Sequence, residues 1–288
     1  MPRRDDEYED DDRPRRPRDD DYDRPARSRR RDDDDDRGPP PRSKSNLGLI
    51  LGILGGVLLL CCGGGGVAMY FALKGAAGKV GEAADRMTSS NNLKQVGLGI
   101  HEYADKHNEL PNNTYGPDGK PLLSWRVHIL PFIGEKALYD QFKLNEPWDS
   151  PANRQLLNRM PMTYATPAER SGKVAVGTKT YYRGFSNQGA VFAKRNPGQG
   201  LRMTGITDGL ANTVFVVEAG EAVEWTRPDD LDAAPGKPFP ALGGVRADPS
   251  VVMVLFGDGS VRAVRKTASE AQWRASISYA GGESGTLD

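Results

Sequence analysis

His101, His107 and His128 are the side chains of this 288-residue chain best suited to metal or proton chemistry near neutral pH. Two of them stand in the string HEYADKH. At about 100° per helical residue, His101 and His107 fall on different faces, whereas a helical zinc pair needs ligands at i and i+4. His101 and Asp105 do share a face, but a metal needs more ligands than that. Three Asp-Gly pairs, Asp118-Gly119, Asp208-Gly209 and Asp258-Gly259, are turn signals, because Gly accepts positive φ and Asp tolerates it. A calcium loop needs several oxygen ligands at close spacing, and none of the three has them. Asp229, Asp230 and Asp232 are denser and leave weak calcium binding as an alternative. There is no G-x-S-x-G elbow and no phosphate-binding loop. Trp125, Trp148, Trp225 and Trp273 sit in apolar contexts that favour core anchors over a sugar platform. The expectation is therefore no catalytic residue, no metal, no cofactor and no enzyme.

The elements that would position such groups belong to three unlike segments. Residues 1–44 hold 14 Lys/Arg and 16 Asp/Glu in blocks such as Asp10–Asp12, Arg29–Arg31 and Asp32–Asp36. Nothing there buries enough apolar surface to offset ordering entropy, so a disordered polyampholyte tail is expected. It reads as a solvated spacer, with a docking arm for a cytoplasmic partner or anionic lipid as the alternative. Residues 45–73 carry no charge and are long enough to cross a bilayer as a helix. Gly48, Gly52 and Gly56 stand four apart on this run, a tandem GxxxG face for helix–helix association. Cys61 and Cys62 read as small apolar residues or lipidation sites. With only these two cysteines, neither a disulfide scaffold nor a Cys-based zinc site is available.

Eight Lys/Arg in residues 24–44 face four in residues 74–94. That bias predicts a cytoplasmic N-terminus and an extracytoplasmic C-terminal domain. No signal-peptidase junction is evident, so retention of the tail is expected. The formal net charge of zero argues against a nucleic-acid partner bound through bulk charge.

Residues 74–288 read as one α+β domain, a helix first and strands later. Leu93, Val96, Gly97, Ile100, Tyr103, Ala104 and His107 follow one helix face. The pattern extends back through Val80, Ala83, Ala84 and Met87, with Gly75–Gly81 as a candidate hinge. Pro111 with Asn112 and Asn113 ends it. Ser124–Phe142 reads as helical turns interrupted at Pro131 and Gly134, and Ser150-Pro151 caps a short helix through Leu157. Strands are expected at Lys173–Val176, Thr180–Phe185, Ala190–Ala193, Thr213–Glu218, Ala222–Trp225 and Val251–Phe256. Gly257, Asp258 and Gly259 turn a hairpin into Ser260–Val264, and a capping box at Thr267–Glu270 opens a last helix.

The strings SNNLKQVGLGIHEY (Ser90–Tyr103), Ser124–Leu157, ITDGLANTVFVVEAG (Ile206–Gly220) and VLFGDGSVRAV (Val254–Val264) resemble the bacterial domain-of-unknown-function family 1559. The resemblance implies a pseudopilin-like architecture, a long N-terminal helix packed on an antiparallel sheet, and a solute-binding label without an established activity. Two features depart from that family. The apolar run has no acidic residue and no prepilin-type Gly-Phe junction, and Asp248 stands where many members carry a His ahead of the Asp-Gly. Together these readings predict a single-pass envelope protein with a structural or interaction role, through self-association or an envelope partner. The alternatives are an extracytoplasmic module binding a glycan or solute, and an unrecognised hydrolase.

Overall fold

The computed structural model describes residues 47–195, 199–245, 250–282 and 287, and only the backbone for 47–73 and 75–77. The charged tail expected over 1–44 and Asp248 lie outside the described residues. The chain divides into two compact units, Met1–Leu60 and Cys61–Asp288. Helix α1 spans Leu47–His107, so Gly48, Gly52 and Gly56 lie on helical backbone. The expected membrane span falls where the side chains lie outside the described residues. Among the described residues, no helix is long and apolar enough to cross a membrane.

The α+β order is present. The glycines at Gly75–Gly81 do not interrupt α1. From Gly78 to Thr88 its side chains are exposed or half-buried; from Ser89 onward Leu93, Val96, Ile100 and Ala104 form a buried stripe. Lys106 and His107 stand in the last turn, where cations suit the helix dipole. Asn108, at φ 58°, donates from its backbone N–H to the Ala104 carbonyl at 2.8 Å and ends the helix in the left-handed region Asn tolerates.

Four strands follow: β1 (Lys179–Arg183), β2 (Val214–Glu224), β3 (Val251–Phe256) and β4 (Val261–Arg265). They form one antiparallel sheet in the order β1-β2-β3-β4. Three strand expectations are corrected. Lys173–Val176 is not a strand; it follows the short helix α5 (Pro167–Arg170) and leaves Val174 and Val176 exposed, with no sheet partner. Ala190–Ala193 is a turn whose Phe192 ring stacks on Trp125 at 4.8 Å, so its apolar character serves the core and not a ladder. Thr213–Glu218 and Ala222–Trp225 merge into β2, because the intervening Gly220 stays extended, its N–H held by the Ala241 carbonyl at 2.7 Å.

The interrupted turns are α2 (Trp125–His128), a 3₁₀ turn at Leu130–Phe132 and α3 (Lys136–Tyr139). Ser150 caps α4 (Pro151–Arg154), which stops three residues short of Leu157. The last helix, α6 (Glu270–Ile277), is capped by Ser269 with Gln272, not by Thr267 with Glu270. The same S/T-x-x-E/Q spacing recurs two residues on, and the hydroxyl of Ser269 is the one that accepts the Gln272 N–H.

The sheet carries a core on each face. Met253 and Leu255 of β3 join the cluster holding Leu93, Val96 and Ile100 of α1, while Val252, Val254 and Phe256 alternate into the cluster holding Trp273 and Ile277 of α6. Gly97 permits the close approach of α1: a β-carbon there would stand 2.9 Å from Leu255 Cδ1. Between β3 and β4, Gly259 sits at φ 81° and donates to the Phe256 carbonyl at 3.0 Å.

Candidate ligand-binding cleft

The chain leaving α1 turns through Leu110–Tyr115 and folds back on itself. Thr114 and Leu122–Leu123 exchange backbone hydrogen bonds at 2.8 and 2.9 Å, closing the loop that carries Tyr115 and Asp118-Gly119. This loop, the end of α1, α2, Leu144-Asn145 and Lys194-Arg195 enclose a cleft of about 680 Å³, well within the range of small-molecule sites.

One of its lining residues, Asn113, is anchored in a buried polar network. Asn113 donates from Nδ2 to Asp230 Oδ2 at 2.7 Å and accepts the Trp125 backbone N–H at 3.0 Å. Asp230 Oδ1 accepts from Trp125 Nε1 at 3.2 Å, from Arg126 at 3.2 Å and from the Gly184 N–H at 3.0 Å. Arg126, wholly buried, donates further to the Tyr182 carbonyl at 2.8 Å and to Ser124 Oγ at 2.5 Å. Burial pushes its guanidinium below the ordinary arginine value, and Asp230 opposes that. A buried pair with its remaining donors matched orients its surroundings more than it adds stability. Here it holds the Asn113 end of the cleft loop.

Several lining groups are shifted. His128, at the base, is driven down to about 4 by burial, with the charge of His107 adding to it, so the imidazole is neutral at pH 7. One of its nitrogens, Nε2, lies 3.4 Å from Thr114 Oγ1. The Tyr103 phenol is raised to about 12, first by burial and then by Glu109 and Tyr139. Tyr115 is raised by burial, with Asp230 adding to it. Both phenols therefore stay protonated and able to donate. Tyr103 is held by stacking on His107 at 4.3 Å and edge-on contact with Phe132 at 5.7 Å. Lys194 Nζ lies 4.4 Å from the Tyr115 ring centroid, within cation–π range.

Of the residues singled out for their chemistry in the sequence, His128 lines this cleft, with Gly119 of the first Asp-Gly pair beside it. His101 Nε2 lies 2.9 Å from the Gly257 carbonyl and ties α1 to the hairpin. Asp258 is exposed; the slight desolvation of its carboxyl raises it, but hydrogen bonds from Ser260 and the nearby Arg262 leave it below its ordinary value. Its Oδ1 accepts the Ser260 N–H at 2.9 Å. The Asp229–Asp232 cluster is dispersed: Asp229 pairs with Arg183 at 2.7 Å, Asp230 belongs to the network, and Asp232 pairs with Lys237. Among the described residues, no group of three His, Cys, Asp or Glu is placed to hold a metal. Trp125, Trp225 and Trp273 are buried, and Trp148 packs half-buried against the core. Sequence reading missed Tyr103, Glu109, Tyr115, Asn145 and Lys194, which lie apart in the chain. A local signal is the polar-aromatic string NNTYG at 112–116, of which only Asn112 and Asn113 are read from the sequence, as a helix stop.

These elements define a class, an α+β domain with a long helix on a four-stranded antiparallel sheet and a polar cleft at the helix end. The family model described as protein of unknown function (DUF1559) matches residues 79–248, more than half of the chain, and the chain belongs to that family. The match contains every residue that lines the cleft. No curated protein and no solved structure matches the chain.

Proposed function

We propose that the chain is a single-pass, membrane-anchored envelope protein whose extracytoplasmic, pseudopilin-like domain recognises a small ligand in the cleft without transforming it. The observation that carries this reading is the cleft itself: polar side chains converge on a cavity of ligand size, backed by a buried network that keeps its wall in place. The uncharged run 45–73 and the Lys/Arg excess before it support the anchor and the orientation. Two measurements test the reading. A cognate ligand raises the melting temperature of the full chain in detergent by mass action. In cells, an N-terminal tag is protected from external protease and a C-terminal tag is cleaved; the reverse pattern refutes the envelope placement.

A second reading, assembly with another copy of this chain, is favoured by one observation on α1. Val80, Met87 and Leu98 are 70%, 67% and 59% exposed. At about 100° per residue they align within about 20° of one another, on the side of the helix opposite Val96 and Ile100. Gly48, Gly52 and Gly56 supply a close-packing face on the same helix. Chemical crosslinking in detergent separates the readings: Met87→Glu and Gly52→Leu each reduce a dimer band if assembly is the role, and neither alters ligand-induced stabilisation.

A further inference from the structure

The cleft's lining is specific enough to name a ligand class, an inference that rests on the recognition role proposed above. Its charged groups are Glu109, Lys194 and Arg195. Arg195 is committed to its own loop, donating to the carbonyls of Ala190, Val191 and Ala193 at 2.7–3.2 Å. Glu109 and Lys194 balance each other, and Arg195, its donors spent on carbonyls, keeps its charge, so the lining carries a formal excess of one cation. It also offers a set of groups with no hydrogen-bond partner among the described residues. Among the described residues, the Tyr103 hydroxyl and the Asn145 side-chain amide have no hydrogen-bond partner, and neither has the Glu109 carboxylate. A phenol donates and accepts, a carboxamide donates and accepts side by side, and a carboxylate accepts twice. Adjacent hydroxyls on a ring present the complementary pattern of paired donors and acceptors. Two tyrosine rings supply apolar surface beside these groups, and Tyr103 is locked by its stacking on His107. A nucleotide or an acidic peptide would need several cations with donors to give, and of the two in this lining Arg195 has spent its own on carbonyls, leaving Lys194.

We propose that the cleft between the end of α1, the Asn112–Tyr115 loop and Lys194 binds an uncharged saccharide. The ring's apolar face lies against a tyrosine, and its hydroxyls are shared among Tyr103, Glu109 and Asn145.

The full chain, purified in detergent, is titrated calorimetrically with three sets of oligosaccharides: neutral ones of hexose and N-acetylhexosamine, uronic-acid-bearing ones, and glucosamine oligomers. A fourth set holds amino acids, nucleotides and short peptides. The expected result is binding of a neutral member. Tyr103→Phe and Asn145→Ala each weaken it about tenfold, the worth of one hydrogen bond to the ligand. Neither shifts the melting temperature of the unliganded protein. Binding confined to uronic acids or glucosamines, with Lys194→Met or Glu109→Gln abolishing it, overturns the uncharged class. Binding only from the fourth set, sensitive to Tyr103→Phe, overturns the saccharide while leaving recognition in the cleft intact. No binding from any set, or binding indifferent to all of these variants, overturns both.

Discussion

Where α1 crosses the sheet, Leu93, Val96 and Ile100 share one cluster with Met253 and Leu255, and the apolar side chains are wholly or almost wholly buried. Behind the cleft, Arg126 and Asp230 are buried as completely, yet each is charged and fastened by hydrogen bonds to groups far apart in the chain. The first region gains stability in proportion to area removed from water and tolerates changes of shape. The second gains little net stability, but an incomplete version of it is costly, since any member removed strands its partners in a low-dielectric interior. The molecule thus places a soft, area-driven joint at the helix and a stiff, directional one beneath the site.

The sharpest way to break that contrast is Asp230→Ala. It leaves Arg126 without its counter-charge and orphans donors on Trp125, Asn113 and Gly184. A loss of about 3–5 kcal/mol is expected in chemical denaturation. Adding Arg126→Met should recover only part of it, because the other orphaned donors remain. Full recovery would mean that the ion pair alone matters.

The next effect is a pH dependence. His128 is depressed in the folded state, so the unfolded chain binds the extra proton between about pH 6.5 and 4. Stability should therefore fall as pH drops through that window, by up to about 3 kcal/mol from this group. Denaturation curves of His128→Gln at successive pH values should show a shallower decline over the same interval. An equally steep decline would remove His128 as its source.

Smaller still is Gly259→Ala. A β-carbon at φ 81° costs about 1–2 kcal/mol, so the melting temperature should fall with the far-ultraviolet spectrum preserved below the transition. Asp258→Asn should change little, since the amide oxygen can accept the Ser260 N–H in the same turn. On α1, Ile100→Val should cost about 0.5–1.5 kcal/mol, and should leave ligand-induced stabilisation untouched. A larger loss there would show the helix joint to be as exacting as the polar one.

The legible parts of this chain were those encoded by near neighbours. The stripe on α1 recurs at helical spacing, so Leu93, Val96 and Ile100 announced a buried face before any partner was known. The hairpin was readable because Gly257-Asp258-Gly259 lies between two β-branched runs, and turn chemistry is local. Local signals also misled. Ala190–Ala193 has strand composition, but Phe192 is needed against Trp125, and a side chain's partner across the fold outweighs its own propensity. Cap spacing alone could not choose between Thr267 and Ser269, two residues apart, because the packing of Trp273 and Ile277 sets where α6 begins.

By itself, then, the sequence determined the α+β order, the apolar face of α1, the charged and uncharged blocks ahead of it, and the turns. Each follows from periodicity or composition within about one helix length. Tertiary structure alone decided that Asn113, Arg126, Tyr182, Gly184 and Asp230 form one network and that Tyr103, Glu109, Asn145 and Lys194 face one cavity. The physical reason is range. Hydrogen bonds and charge pairs act over a few ångströms of space, whereas these residues come from segments separated by tens of positions along the chain, and only the closed fold brings the segments within reach.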